Sequence, residues 1–306
     1  MVVSKQSIDI KESVLRRKGI LLDILLTDRT TKKNIIWATD SYRDKGSGFD
    51  PKRQIVPDLV TGPYRLLIQP RAAKTLEEQR HRTKEKAEVF TPLKTVDHMN
   101  KLLEEGKSMS KDTWQEYIRE IRLEITCGEA PFIVSRYNPT AHGTLISLAS
   151  RVGFLDRKLK VVSRYCDERE EWISWAKEAF KASYGYEWQG DNVLLARENL
   201  LYTLIDYYEA KFGNPPPLRI QEEFAEIIAW NIFQMDGLRN VVPMSCRHES
   251  KIILGEWTLF EQFPDKVEEH ECEGCKYNRQ DKHNGKYVKI MDWTLNKPVR
   301  FVDLLN

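Results

Sequence analysis

From residue 87 onward the sequence alternates short apolar runs with longer amphipathic stretches, and three of the short runs carry an acid toward their carboxyl end: LEITCGE at 123–129, YGYEWQGDN at 184–192 and NIFQMDGL at 231–238. Strands separated by helical stretches of this length pair through crossover helices, which restricts the fold to an α/β sheet with helices packed on it. The spacing predicts helices over 95–105, 169–183 and 222–230, and strands within 118–125, 184–187 and 231–235. Acids at the carboxyl ends of parallel strands line the crevice in which open α/β sheets bind ligands, so these positions are the first candidates for a site.

The remaining sequence divides around this region. With 306 residues and about 150 per domain, the chain has room for about two domains. Residues 1–86 read as a mainly helical, basic segment, 87–245 as the α/β unit and 246–306 as a small cysteine-containing appendage. In the first part a helix is predicted over 11–26 and a short strand over 35–38, followed by a loop marked by Gly46, Gly48 and Pro51. Residues 64–88 form the most basic stretch, with Arg65, Arg71, Lys74, Arg80, His81, Arg82, Lys84 and Lys86 against four glutamates. Such a run serves either as a solvated helix face or as a surface that follows a phosphate backbone. Across the whole chain 48 Lys and Arg face 46 Asp and Glu, a net charge of +2, which excludes histone-like coating and confines any nucleic-acid contact to a local patch. The apolar run at 19–26 is broken by Asp23 and falls short of the roughly 20 residues of a membrane helix. The amino-terminal residues lack a secretory signal pattern. The expectation is a cytoplasmic protein with no membrane partner.

Each candidate motif has a distinct chemical capacity. In Phe90-Thr91-Pro92, ahead of a helix, proline fixes an extended turn, threonine offers a hydroxyl and an amide, and phenylalanine can cover a ring. Glu124 is followed by a small-residue turn at Cys127 and Gly128 that lets a ligand approach the backbone. Glu187 can accept both hydroxyls of a ribose, with Trp188 beside it to cover a purine, and Asp236 can accept from an adenine amino group. Trp114, Trp172, Trp175 and Trp230 sit at helical spacings that read as core packing.

In this order, FTP, LEITCGEAPF, YGYEWQGDN and NIFQMDGL, the chain resembles the cofactor-binding half of the S-adenosylmethionine-dependent DNA adenine methyltransferases of restriction–modification systems. It is also similar, over about residues 20–303, to proteins described as restriction endonuclease subunit M, through the runs KAEVFTP, ITCGEAPF, LDRKLKVV, YGYEWQGDN and WNIFQMDGL. The resemblance implies a Rossmann-like, doubly wound methyltransferase sheet. It implies cofactor contacts from Phe90, Thr91 and Pro92, a turn around the methionine part from Glu124, Cys127 and Gly128, ribose binding by Glu187 and an adenine contact by Asp236. DNA would be the substrate, and a second methyltransferase, specificity or restriction subunit a partner. Glu129 and Pro131 depart from the small residues usual in the glycine motif, and the stretch from Glu124 to Glu187 implies an insertion around 138–171.

Amino methyltransferases orient the target amine with an Asn/Asp-Pro-Pro-aromatic turn. No such tetrapeptide follows Asp236. The run Gly213-Asn214-Pro215-Pro216-Pro217 precedes the third strand and reads as a helix–helix loop. Asp292, with Trp293, is the remaining candidate in the YVKIMDW run, so the catalytic turn would otherwise come from another chain or be absent. The alternative function is a non-catalytic methyltransferase-fold accessory protein of a phage or mobile element.

Five cysteines, unevenly spaced, argue against a disulfide scaffold. Cys272 and Cys275 form a CxxC knuckle around Gly274, and Cys246 lies upstream beside His248. Cys246 with His248, His270 or His283 could complete four ligands for a structural zinc. Reduced unliganded thiols and redox chemistry are the other readings of the same residues.

Overall fold

The computed structural model describes residues 16, 18–70, 73, 74, 77, 84, 91–106, 110, 112–138, 144–247, 249–253 and 266–305. The chain is mixed α/β. The α-helices with described bounds are α1 (Ile20–Leu26), α2 (Leu93–Leu102), α3 (Trp114–Arg119), α4 (Phe154–Tyr165), α5 (Arg169–Lys181), α6 (Gly190–Phe212), α7 (Leu218–Asn231) and α8 (Glu273–Tyr277). Its strands are β1 (Arg122–Glu124), β2 (Ser183–Glu187), β3 (Ile232–Gln234), β4 (Glu249–Ile253), β5 (Lys266–His270), β6 (Lys289–Asp292) and β7 (Lys297–Arg300). Among the described residues no helix is long and apolar enough to cross a membrane.

β1, β2 and β3 form a parallel sheet in that order, with Leu123 opposite Tyr184 and Gly185 opposite Ile232. The sheet is small, and among the described residues no strand flanks β1 on its outer edge. Two helices, α4 and α5, connect β1 to β2, and two more, α6 and α7, connect β2 to β3. The stretch around 138–171 includes a packed crossover helix, α4, whose Leu155, Leu159 and Val162 are spaced three and four residues apart and fully buried.

α6 is buried almost all round through Leu204, as a helix at the centre of a core must be. It ends at Gly213, whose φ of 78° is the left-handed conformation that closes a helix cheaply only with glycine. The Pro215-Pro216-Pro217 run then lies in the helix–helix loop, with Pro217 at the amino end of α7. One continuous apolar core joins Leu22, Leu25 and Leu26 of α1 and the loop residues Ile35, Trp37 and Ile55 to α4, α5, α6 and α7. Trp172 is fully buried there, and Trp114 stacks on Tyr165 at 5.3 Å between ring centroids.

Successive side chains of a strand point to opposite faces. On the face away from this core, Tyr184, Tyr186, Phe233 and Met235 pack against Val288, Ile290 and Phe301. β6 and β7 are an antiparallel hairpin rather than further members of the parallel sheet. β4 and β5 form a second hairpin, closed at its base by the Glu249–His270 pair.

The predicted helices over 95–105, 169–183 and 222–230 are found with shifted ends. The predicted helix over 11–26 is described as a helix only from Ile20, residues 1–15 and 17 lying outside the described residues. Residues 35–38 do not form a strand: Ile36 makes a single bridge to Gln54, and Ala38 turns to a φ of 49°. The basic stretch at 64–88 lies largely outside the described residues.

Candidate functional site

Parallel pairing continues past the strand ends and sets the turns after β1, β2 and β3 side by side. The Cys127 amide donates to the Tyr186 carbonyl at 2.8 Å, and the Met235 amide to the Glu187 carbonyl at 3.0 Å. The turn after β1 is coiled, with positive φ at Thr126 (45°), Gly128 (53°) and Ala130 (63°). Its Gly128 amide donates to Glu187 Oε2 at 2.9 Å, while Glu187 Oε1 accepts from the Gln189 amide at 3.1 Å. A side chain added at Gly128 would meet nothing within 4 Å, so the backbone there faces open space.

Glu124 turns the other way, under the loop, accepting from the amides of Phe132 at 3.3 Å and Ile133 at 3.1 Å. Burial pushes its carboxyl up to about 8 against the pull of those two amides, and the Glu187 charge adds to the push. Glu187 is raised by burial too, opposed by the amides it accepts. The Cys127 thiol lies buried between them and is driven well above its ordinary range by burial and by both carboxylates, which leaves it protonated and unsuited to nucleophilic work. Asn199 of α6 holds the loop from behind, donating to the Glu129 carbonyl at 3.1 Å.

Asp236 closes the turn after β3. Its Oδ1 accepts from the amides of Leu238 and Arg239, and Oδ2 is 3.5 Å from the Arg239 guanidinium. Beside it Asn240 is buried at a φ of 58°, its side-chain nitrogen without a hydrogen-bond partner among the described residues.

Phe90 lies outside the described residues. Thr91 is half-buried and Pro92 exposed at the amino end of α2, where the Pro92 carbonyl accepts the amides of Thr95 and Val96. Further along α2, Asn100 donates to the carbonyls of Phe132 and Val152, which ties the helix to the turn after β1. Trp188 is engaged by its indole N–H, which donates to the Ala38 carbonyl at 2.7 Å.

That bond belongs to an arrangement that sequence reasoning missed. Residues 36–38 cross the carboxyl ends of β2 and β3: the Ile36 amide donates to Gln234 Oε1 at 2.9 Å, Gln234 Nε2 donates back to the Ile36 carbonyl at 2.8 Å, and the Gly190 amide donates to the Trp37 carbonyl at 2.9 Å. No local pattern announces a side-chain amide that stands in for a strand partner.

Asp292 sits at the end of β6, and its Oδ1 accepts the amides of Thr294 and Leu295, so its carboxylate closes the β6–β7 turn.

The cysteine cluster is brought together. Ligand atoms of Cys246, Cys272, Cys275 and His283 all lie within 4.8 Å of one another, so the four residues could hold a metal ion. Each of the three sulfurs is 3.6 Å from His283 Nδ1. His248 lies outside the described residues, and His270 contributes its backbone to β5. The glycines are required by the packing: a side chain at Gly274 would strike the His283 ring at 2.6 Å, and one at Gly285 would meet the Cys246 sulfur at 3.0 Å. Although desolvation raises a thiol, the Asn284 amide, the Cys275 amide and His283 bring Cys272 down to about 6. Cys246 is pushed up to about 12 by burial and by the two neighbouring sulfurs.

No family model matches the chain, and no curated protein or solved structure is detectably similar to it.

Proposed function

We propose that this chain binds S-adenosylmethionine and serves in the cytoplasm as a modification subunit of a restriction–modification system directed at DNA adenine, with its three parallel strands as one half of a Rossmann-like methyltransferase sheet. The observation that carries the reading is the bond from the Gly128 amide to the buried Glu187 carboxylate, with open space where a side chain on Gly128 would stand. Glu187 accepts the Gly128, Gln189 and Trp188 amides, and of the roughly four acceptor sites of a carboxylate one is left for a ribose hydroxyl. The bare Gly128 backbone admits the methionine part, and Asp236 with Asn240 stands at the next strand end for the purine edge. S-adenosylmethionine supplies an activated methyl group on a sulfonium, a cation that a pocket of carboxylates attracts. Transfer itself is assigned to a complex in which a partner chain brings the Asn/Asp-Pro-Pro-aromatic turn.

The same reading gives the Cys3His cluster a structural zinc. Zn–S bonds of about 2.3 Å and Zn–N bonds of about 2.0–2.1 Å at tetrahedral angles place sulfur and nitrogen about 3.6 Å apart. The three sulfur–nitrogen distances here are each 3.6 Å. Four protein ligands leave no open position, which fits a structural role rather than a catalytic one.

Titration calorimetry with S-adenosylmethionine tests the first claim, followed by methyl-transfer assays on DNA with and without a partner methyltransferase or specificity subunit. Glu187→Ala is expected to abolish cofactor binding. Absence of binding to the parent chain would sink the reading, and equal binding by Glu187→Ala would sink the ribose assignment. Binding without transfer in either assay leads to the second reading, a non-catalytic methyltransferase-fold accessory protein of a phage or mobile element. One observation favours that second reading: the Asp292 carboxylate is committed to closing a hairpin turn.

A further inference from the structure

We propose that metal binding at the Cys3His cluster holds the end of β3, and with it Asp236, in its observed geometry. The inference rests on the cofactor reading above only for the second of its two readouts.

The connection is a short backbone ladder. Asp236 bridges Val241 in antiparallel fashion, and Val241 bridges Tyr287. The Asp236 amide donates to the Val241 carbonyl at 2.8 Å, the Val242 amide to the Lys286 carbonyl at 2.8 Å, and the Val288 amide to the Asn240 carbonyl at 3.0 Å. Residues 240–242 are therefore held between the β3 end on one side and 286–288 on the other.

The middle segment and 286–288, its neighbour on the side away from β3, run directly into metal ligands. Four residues beyond Val242 comes Cys246, and four residues before Tyr287 comes His283. Near the cluster the two arms are clasped by the Ser245 hydroxyl, which accepts the Lys286 amide at 3.0 Å, and by Asn284, which accepts the Arg247 amide and donates to its carbonyl. The Tyr287 hydroxyl accepts the His283 amide at 2.8 Å. A metal bonded to Cys246 and His283 ties the two arms at their far end, so the ladder between them is closed by the ion as a hairpin is closed by its turn. Without the ion, the buried Val242 and Val288 still hold the arms at the β3 end, but the far end is joined by neutral hydrogen bonds that exchange readily with water.

Amide hydrogen exchange on the full chain, loaded with one zinc per chain and then stripped with a chelator, tests this. Stripping is expected to speed exchange at the Asp236, Val242 and Val288 amides about tenfold or more while the α6 amides keep their protection, and zinc re-addition is expected to reverse it. The inference is overturned if those three amides keep their protection, if α6 loses its own in parallel, or if the chain takes up no zinc. In the second readout, the stripped chain is expected to bind S-adenosylmethionine about tenfold more weakly than the loaded one; equal affinity overturns the link from the ladder to the site. A loaded chain that binds no cofactor refutes the proposed function, while the exchange rates still decide the inference.

Discussion

The Glu187 carboxylate accepts the Gly128 amide at 2.9 Å, which makes the acid of one strand end and the glycine turn of its neighbour a single unit. Its other oxygen accepts the Gln189 amide, so both oxygens are acceptors in a buried setting. Replacing Glu187 by Gln sets an N–H group against one of these amides. The expected cost is about 1–3 kcal/mol of folding stability, read from the urea midpoint, because a buried donor is left without an acceptor. A variant as stable as the parent would show that the two amide bonds contribute little.

Glu124 provides a pH dependence. Burial raises its carboxyl from 4.5 to about 8, so between those values the folded chain binds its proton more tightly than the unfolded chain does. The associated stability is complete below the lower value and is lost as pH rises through the upper one. Urea denaturation from pH 5 to pH 9 is expected to show the parent losing stability relative to Glu124→Gln, which has no proton to release at this position. Parallel curves for the two proteins would remove Glu124 as the source.

Gly190 opens α6 directly beneath the chain that crosses the strand ends. A side chain there would overlap the Ile36 carbonyl oxygen, and backbone cannot rotate aside as a flexible side chain can. Gly190→Ala is expected to cost about 3 kcal/mol or more by thermal or urea denaturation. Gly213→Ala, strained by its φ of 78° but facing open space, is expected to cost only about 1 kcal/mol. The reverse order would contradict the packing described at Gly190.

Arg197 on α6 is fully buried, and its guanidinium donates to the carbonyls of Ile232, Leu25, Thr27 and Ala229. Burial pushes its pKa down to about 9. These carbonyls belong to the ends of α1 and α7 and the start of β3, so one side chain bonds to carbonyls at two helix ends and a strand start. Arg197→Met keeps much of the volume and removes the donors. Its expected cost is about 3 kcal/mol or more in chemical denaturation.

Some of this architecture could be read in advance for physical reasons. β2 and β3 are visible because an apolar run before an acid is a local pattern, and α5 because Trp172, Trp175, Ala179 and Phe180 recur at helical spacing, although Ala176 rather than Trp175 is fully buried on that face. The CxxC knuckle was equally local, whereas the choice of His283 over two other histidines depended on how 283 folds back onto 246. At residues 35–38 an apolar run is all that the sequence shows, and it suggests a strand that the structure does not form. In the structure some of these residues' backbone groups pair with Pro51, Arg53 and Ile55, and others bond to Gln234, Trp188 and Gly190, residues remote along the chain. The orientation of Glu124 was hidden likewise, since its two amide partners lie in the following loop, at 132 and 133.

The clasp between Ile36 and Gln234 joins positions 198 residues apart. A chain emerging from the ribosome can form α1 early, yet the ends of β2 and β3 stay uncapped until the last strand of the parallel sheet has been synthesised. Closure of this end of the molecule is therefore a late event that requires both halves of the polypeptide, and its speed is set by the search for a distant partner rather than by local propensity.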